Sequence, residues 1–179
     1  MKKVLIIIIL LIICVGAWFF FAQEKNVSYN INMKVESTTF KNNEEISSKY
    51  TCDGENINPE LVFKDVPEEA KSLALIMDDP DAPRGTWDHW ILWNISPQTT
   101  NIGQNSIPLN ATVGLNSSDK NEYQGPCPPS GSHRYFFKLY ALDTLISLKE
   151  NTNKKYLLNA MKEHILAEAE LIGKYKRNN

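Results

Sequence analysis

Cysteine is scarce in this chain, three in 179 residues. That is too few for a disulfide-dense scaffold, so the fold must rest on an apolar core. Histidine is equally scarce at three, and no His-x₃-His or Cys-x₂-Cys spacing occurs, so the short metal-binding motifs are missing. No Gly-x-Ser-x-Gly elbow is present, which leaves serine-hydrolase chemistry without its usual nucleophile. An excess of either charge is lacking too: 19 basic against 21 acidic residues leave a formal net charge of −2. Nucleic-acid binding demands a basic face, so the balance argues against such a partner. There is no internal repeat and no low-complexity tract beyond a general richness in asparagine.

What is present begins with an apolar run. Lys2 and Lys3 precede Val4–Ala22, nineteen residues without charge or proline. At 1.5 Å per residue such a helix reaches roughly 28 Å, about one hydrocarbon thickness. A cleaved signal and a lipoprotein signal compete with a membrane anchor. A lipoprotein would use Cys14, but Ile13 before it is bulky. Cleavage after Ala17 would leave Trp18-Phe19-Phe20-Phe21 at a new terminus, whereas these aromatics suit a membrane interface. The reading adopted is an anchor over residues 1–22, with cleavage and secretion as the alternative. The lysines keep the short end cytoplasmic and place the domain on the extracytoplasmic side. Residues 23–35 then form a polar tether and residues 36–179 the folded domain, a length that buries a sizeable core.

Along that domain, Phe40 to Tyr50 reads as strand and loop, and Leu61-Val62-Phe63 as a short strand. Lys71 to Met77, Trp90 to Ile95 and Tyr135 to Leu142 read as strong strands, the last apolar on both faces. Residues 97–122 read mostly as loop. Thr152-Asn153 opens a predicted helix to about Gly173, with Leu157, Met161, Ile165 and Ala169 at i, i+4 spacing and Lys174, Lys176 and Arg177 suiting its C-terminus. Strands first and helix last predict a mainly β domain.

Two dense segments stand at strand boundaries. The first, Asp78-Asp79-Pro80-Asp81-Ala82-Pro83-Arg84-Gly85-Thr86-Trp87-Asp88-His89-Trp90, packs four acidic residues, two prolines and a histidine between two buried strands. The second is Gly125-Pro126-Cys127-Pro128-Pro129-Ser130-Gly131-Ser132-His133-Arg134-Tyr135. Proline fixes φ and gives no N–H to a ladder, so both connections are stiff. Taken alone, the first is equally a polar turn whose aspartates cap backbone N–H groups. If the two segments meet at one end of a sheet, Asp79, Asp81, His89 and His133 converge. Such a set suits an anion pocket best, ahead of an acid/base site or a metal. Two histidines can donate to an anion, becoming cationic as it binds, and backbone N–H groups near Gly125 can approach it closely. The aspartates then hold the histidines or the backbone rather than face the anion. His164 reads as a satisfied core histidine on the helix.

Asp79-Pro80-Asp81-Ala82-Pro83, Trp87-x-His89, Gly125-Pro126-Cys127-Pro128-Pro129 and His133-Arg134-Tyr135 together resemble the signature blocks of the phosphatidylethanolamine-binding protein family. The match is strongest to its bacterial and archaeal branch, often called Raf kinase inhibitor-like. The similarity runs from about Phe40 to about Tyr175. It implies a central antiparallel sheet, a smaller second sheet and a C-terminal helix. It also implies a pocket for phosphate-like or phosphoethanolamine groups, or a phospholipid headgroup, carried here by Asp79, Asp81, Pro83, His89, Pro128, Pro129, His133 and Tyr135, with Trp87 and Tyr123 as walls and Gly125 at the loop. No catalytic residue, metal or cofactor is expected. A protein–protein inhibitor of a protease or kinase is the first alternative, and a hydrolase using His89 and His133 the second. Cys127 stands where many relatives carry a small residue, which narrows the pocket floor. With Cys14 in the apolar run, Cys52 and Cys127 remain as an even pair in an oxidising compartment, either bridged or two free thiols.

Overall fold

The structure is a computed structural model and describes residues 32–177. The elements described are strands β1 (Lys34–Ser37), β2 (Leu61–Lys64), β3 (Ser72–Asp79), β4 (Trp87–Ile95), β5 (Asn101–Ile102), β6 (Thr112–Val113), β7 (Ser132–Leu142) and β8 (Ile165–Lys176). One helix, α1 (Lys154–Met161), precedes β8, and Ser48–Tyr50 forms a single 3₁₀ turn.

Every residue of β3 is buried, and a strand buried on both faces belongs at the centre of a sheet. It lies between β4 and β7 in a five-stranded antiparallel sheet of order β6-β4-β3-β7-β8. A second antiparallel sheet, β1-β2-β5, covers one face. Between the sheets lie Leu73, Leu75, Met77, Trp90, Leu92, Tyr135, Phe137 and Leu139, with Val35, Leu61 and Phe63 from the small sheet. On the other face Ile76, Ile91 and Trp93 pack against Leu157 and Met161 of α1. The mainly β architecture with two antiparallel sheets and a helix near the C-terminus is therefore as expected from the sequence.

The helix is much shorter than the expected span to Gly173, and Ile165–Lys176 is a strand instead. Leu157 and Met161 do face the core at helical spacing. Beyond His164, however, Ala167, Leu171 and Tyr175 are buried while Glu168 and Glu170 are exposed, a period of two. A four-residue spacing such as Ile165 to Ala169 satisfies both periods, which is why it misled. Tertiary pairing decides: β8 runs along β7 from Ser132↔Lys176 to Leu142↔Ile165, covering what would be a long bare edge. Gly173 is not a helix stop. A Cβ there would come within 2.4 Å of the Ile46 side chain, so glycine lets the 40–46 segment lie against β8.

Three further expectations are corrected. Phe40 to Tyr50 holds no strand and runs beside β8 through Ile46 N–H donating to the Lys174 carbonyl at 2.8 Å. Met33 and Val35, in the stretch read as tether, are core residues, and Lys34 and Val35 belong to β1. His164 is half-exposed in the turn after α1, its Nδ1 facing Asp143 Oδ1 at 2.7 Å, rather than a core residue on the helix. The expected anchor over residues 1–22 and most of the tether lie outside the described residues. Among the described residues no helix is long and apolar enough to cross a membrane.

Candidate functional site

β3 ends where β4 and β7 begin, so both dense segments do meet at one end of the large sheet. The junction carries chemistry because each strand delivers one side chain there. Asp79 is the last residue of β3, and its Oδ2 accepts from His133 Nδ1 at 2.7 Å, with both side chains under a tenth exposed. Asp79 Oδ1 accepts from the Asp81 N–H at 2.8 Å, which pins the start of the connection. Nδ1 of His133 is thereby occupied, and Nε2 is the nitrogen left over.

His89 arrives by a different device. Met77 pairs with Trp90 and Asp78 with Asp88, so one extra residue, His89, is inserted in β4 as a bulge. Strict alternation would turn His89 away from Trp90, but the bulge re-aims it into the cavity that Asp79 and Trp87 also line. Gln124 then grips it twice: the Gln124 N–H donates to the His89 carbonyl at 3.0 Å, and His89 Nδ1 donates to the Gln124 carbonyl at 2.6 Å. A carbonyl only accepts, so Nδ1 carries the proton. His89 Nε2 is buried and has no partner among the described residues. Burial holds the His89 pKa below the ordinary histidine value, outweighing the Gln124 bond and the nearby Asp79, Asp88 and Asp78. The ring is therefore neutral at neutral pH, and its free nitrogen is an acceptor, not the donor expected from the sequence.

Around these groups lies a cavity of about 400 Å³ lined by Asp79, Pro83, Arg84, Trp87, His89, Gln124, Cys127, Pro129 and His133, among others. Of the residues expected there, Asp79, Pro83, Trp87, His89, Pro129 and His133 do line it, and five do not. Asp81 is turned to Arg134, accepting from its backbone N–H, Nε and Nη2 at 2.7–2.9 Å. Tyr123 is a support: its hydroxyl donates to the Tyr50 carbonyl at 2.8 Å and its ring meets Trp90 edge-on. Pro128 is buried beside the cavity. Tyr135 packs edge-on against the His89 ring at 5.2 Å, its buried hydroxyl beside the Cys127 backbone. The expectation for Gly125 is corrected in kind. Its N–H already donates to Asn56 Oδ1 at 2.8 Å, and a Cβ there would come within 2.5 Å of the Tyr50 carbonyl oxygen. Glycine serves close packing against the 50–56 loop, not approach to a ligand.

The other two acidic residues of the first segment face the opposite side of the sheet. Lys138 Nζ donates to both oxygens of Asp78 at 3.0 Å, and Lys154 at the start of α1 bridges Asp78 and Asp88. Of four aspartates, one faces the cavity, and it is already paired with His133. A wider groove of about 990 Å³ runs between α1 and the Leu115–Asp119 loop. Its most buried cation, Lys154, is committed to those two carboxylates, so it offers an anion less than the smaller cavity does.

Cys52 and Cys127 are joined, with Cα atoms 5.5 Å apart. Both are exposed, and the bridge stands at the cavity rim. Sequence reasoning missed Arg84, Ser117 and Gln124 as lining residues, whereas Cys127, expected at the pocket floor, does line the cavity. Gln124 precedes Gly125 directly and had that one signal; Ser117 lies in a loop with none.

The Arg134 pair carries a testable consequence. Its hydrogen bonds hold the Asp81 pKa down, from 3.8 to about 2. A depressed carboxylate stabilises the fold above its unfolded pKa and loses that contribution as pH falls through the folded one. Asp81→Asn is therefore expected to flatten the stability loss between about pH 4 and about pH 2, read as Tm against pH for both proteins. Equal acid slopes would show that the pair contributes nothing.

The profile of the phosphatidylethanolamine-binding protein family matches residues 36–176, nearly all of the described domain. The chain belongs to this family. Relatives agree in extent. A UPF0098 protein of Methanothermobacter thermautotrophicus is 50% identical over 150 residues, covering 81% of this chain and 99% of the relative. One from Chlamydia pneumoniae is 45% identical over 151 residues, covering 82% and 100%. Among solved structures, a putative phosphatidylethanolamine-binding protein homologue of Chlamydia trachomatis superposes with a TM-score of 0.79 at 44% identity, over 82% of this chain and 98% of that one. An Escherichia coli protein described as a new member of the mammalian family gives 0.77 at 30%, over 82% and 99%. Both bear out the fold.

Proposed function

We propose that this family member is a binding module for a small phosphorylated headgroup or free phosphate, not an enzyme. The observation that carries the reading is the cavity itself. Two buried histidines, each fixed through Nδ1 by a different acceptor, leave their Nε2 atoms as the unused polar groups of a proline- and tryptophan-walled space. Fixed polar groups on strand ends need little reordering, which favours binding. Arg84 at the lining adds positive charge, and three of the four nearby carboxylates are turned away or paired elsewhere. The hydroxyls of the lining, Thr86 and Ser117, make no hydrogen bond to either histidine, and Ser117 Oγ accepts from the Asp88 N–H at 2.8 Å instead, which favours a binder over a hydrolase.

The module works on the extracytoplasmic side of a membrane, held by residues 1–22 as an anchor. The exposed Cys52–Cys127 bridge supports that side, because cytosolic thiols are kept reduced. Calorimetric titration with inorganic phosphate tests the reading. Saturable binding is expected in the wild type, with a loss of about tenfold or more in His133→Ala, the worth of a hydrogen bond to a charged group. No binding, or equal binding by the variant with its fold intact, would place the site elsewhere.

A further inference from the structure

We infer that His89 acts as an obligate hydrogen-bond acceptor in this pocket, so that an anion docked against it must bring a donor hydrogen: the P–O–H of a phosphomonoester or free phosphate, rather than the bare oxygens of a phosphodiester or a sulfate. The inference rests on the anion-pocket reading and narrows it.

Three observations carry it. First, the Nδ1 proton of His89 is committed to the Gln124 carbonyl at 2.6 Å, which fixes the tautomer. Second, Nε2 of this cavity-lining ring is buried without a partner among the described residues, in a residue only 3% exposed. A buried acceptor left unpaired is costly, and a ligand O–H relieves that cost. Third, the surroundings do not favour turning the ring into a cation. On β3, Asp79 is already paired with His133, and Asp78 with Lys138 and Lys154 on the far face. On β4 itself, Asp88 is paired with Lys154. From β7, Tyr135 presents a ring edge and His133 its own imidazole. Arg84, the one arginine or lysine among the described lining residues, disfavours a further cation. Burial pushes the His89 pKa the same way.

Few anions carry a proton near neutral pH. Inorganic phosphate keeps at least one P–O–H there, and a phosphomonoester, with a second pKa of about 6, keeps one in a fraction of molecules that grows on mild acidification. Sulfate and a phosphodiester are fully ionised and meet the His89 lone pair with oxygen lone pairs. Their contact with Nε2 becomes favourable only if His89 takes a proton from solvent. Pocket size agrees, since about 400 Å³ is at the small end for ligand sites and is walled by Pro83, Pro129 and Trp87.

The test is calorimetry on the full-length protein in detergent with four probes: inorganic phosphate, methyl phosphate, sulfate and dimethyl phosphate, the last two of which offer no donor hydrogen. At about pH 6.5, where phosphomonoesters are partly protonated, the first two are expected to bind about tenfold or more tightly than the last two. The gap between phosphate and sulfate should narrow on acidification, as His89 acquires a proton and donates to sulfate. In His89→Gln, whose amide can either donate or accept, the ratio should move towards one. Equal affinity for all four probes, or a preference for the diester, overturns the inference while leaving an anion pocket in place. A gap indifferent to pH overturns it even if His89→Gln does not fold. Binding of none of the four removes the anion pocket as well.

Discussion

Replacing Cys52 and Cys127 together by serine is expected to lower the unfolding free energy by about 2–4 kcal/mol. The bridge spans 75 residues, and the chain-entropy account gives on the order of 4 kcal/mol for a loop of that length. The measured cost should fall short of that, because the same two segments are also held non-covalently. The Cys52 N–H donates to the Pro126 carbonyl at 3.1 Å, Gly125 N–H to Asn56 Oδ1, and the Tyr123 hydroxyl to the Tyr50 carbonyl. Arg177 and Tyr175 bind Asp53 next to the bridge. The double variant is thus expected to fold, melt lower and still bind phosphate. Urea denaturation under oxidising and reducing conditions measures it. A wild type whose midpoint ignores reductant would show that the bridge contributes nothing to stability.

Asp79→Ala is expected to separate binding from folding most sharply. It strips His133 Nδ1 of its acceptor and frees the Asp81 N–H, two buried or part-buried groups at once. Each unsatisfied group costs about 1–3 kcal/mol, so a loss of a few kcal/mol in stability follows. Phosphate affinity should fall further than in a variant of equal stability altered in the distant core, such as one at Leu139, because the imidazole loses its orientation. If the two variants bind phosphate alike, Asp79 has no part in positioning His133. His89 adds a pH dependence of its own. Its folded pKa lies below the ordinary 6.5, so the unfolded chain binds more protons below that value and stability declines on acidification. Bound sulfate offsets this, because a protonated His89 can donate to it.

Much of this was legible because strand signals are local. The buried strand β3 and the apolar core of β7 are dense in branched and aromatic residues, and prolines marked where β3 stops. Parity left Cys52 and Cys127 as either a bridge or two free thiols, and their 5.5 Å Cα separation in the fold decides for the bridge. The β8 segment was not legible as a strand, since a four-residue spacing fits both periods and the deciding fact is the bare edge of β7, a non-local one. The His89 bulge was equally hidden: one inserted residue in a register leaves no mark in the local sequence. Gly125 was recognised as special for the wrong reason. A glycine shows that backbone comes close, but not whether the neighbour is a ligand or the Tyr50 carbonyl.

The account turns on whether His89 and His133, and not His164, meet an anion. Long-range ¹H–¹⁵N correlation of the imidazoles during a phosphate titration measures that directly. The expected spectrum shows His89 with its proton on Nδ1 before addition and saturable shifts at Nε2 of both His89 and His133. His164, whose Nδ1 faces Asp143 in the turn after α1, should stay still. Shifts confined to His164, or no saturable change at either pocket histidine, would contradict the assignment of this cavity as the binding site.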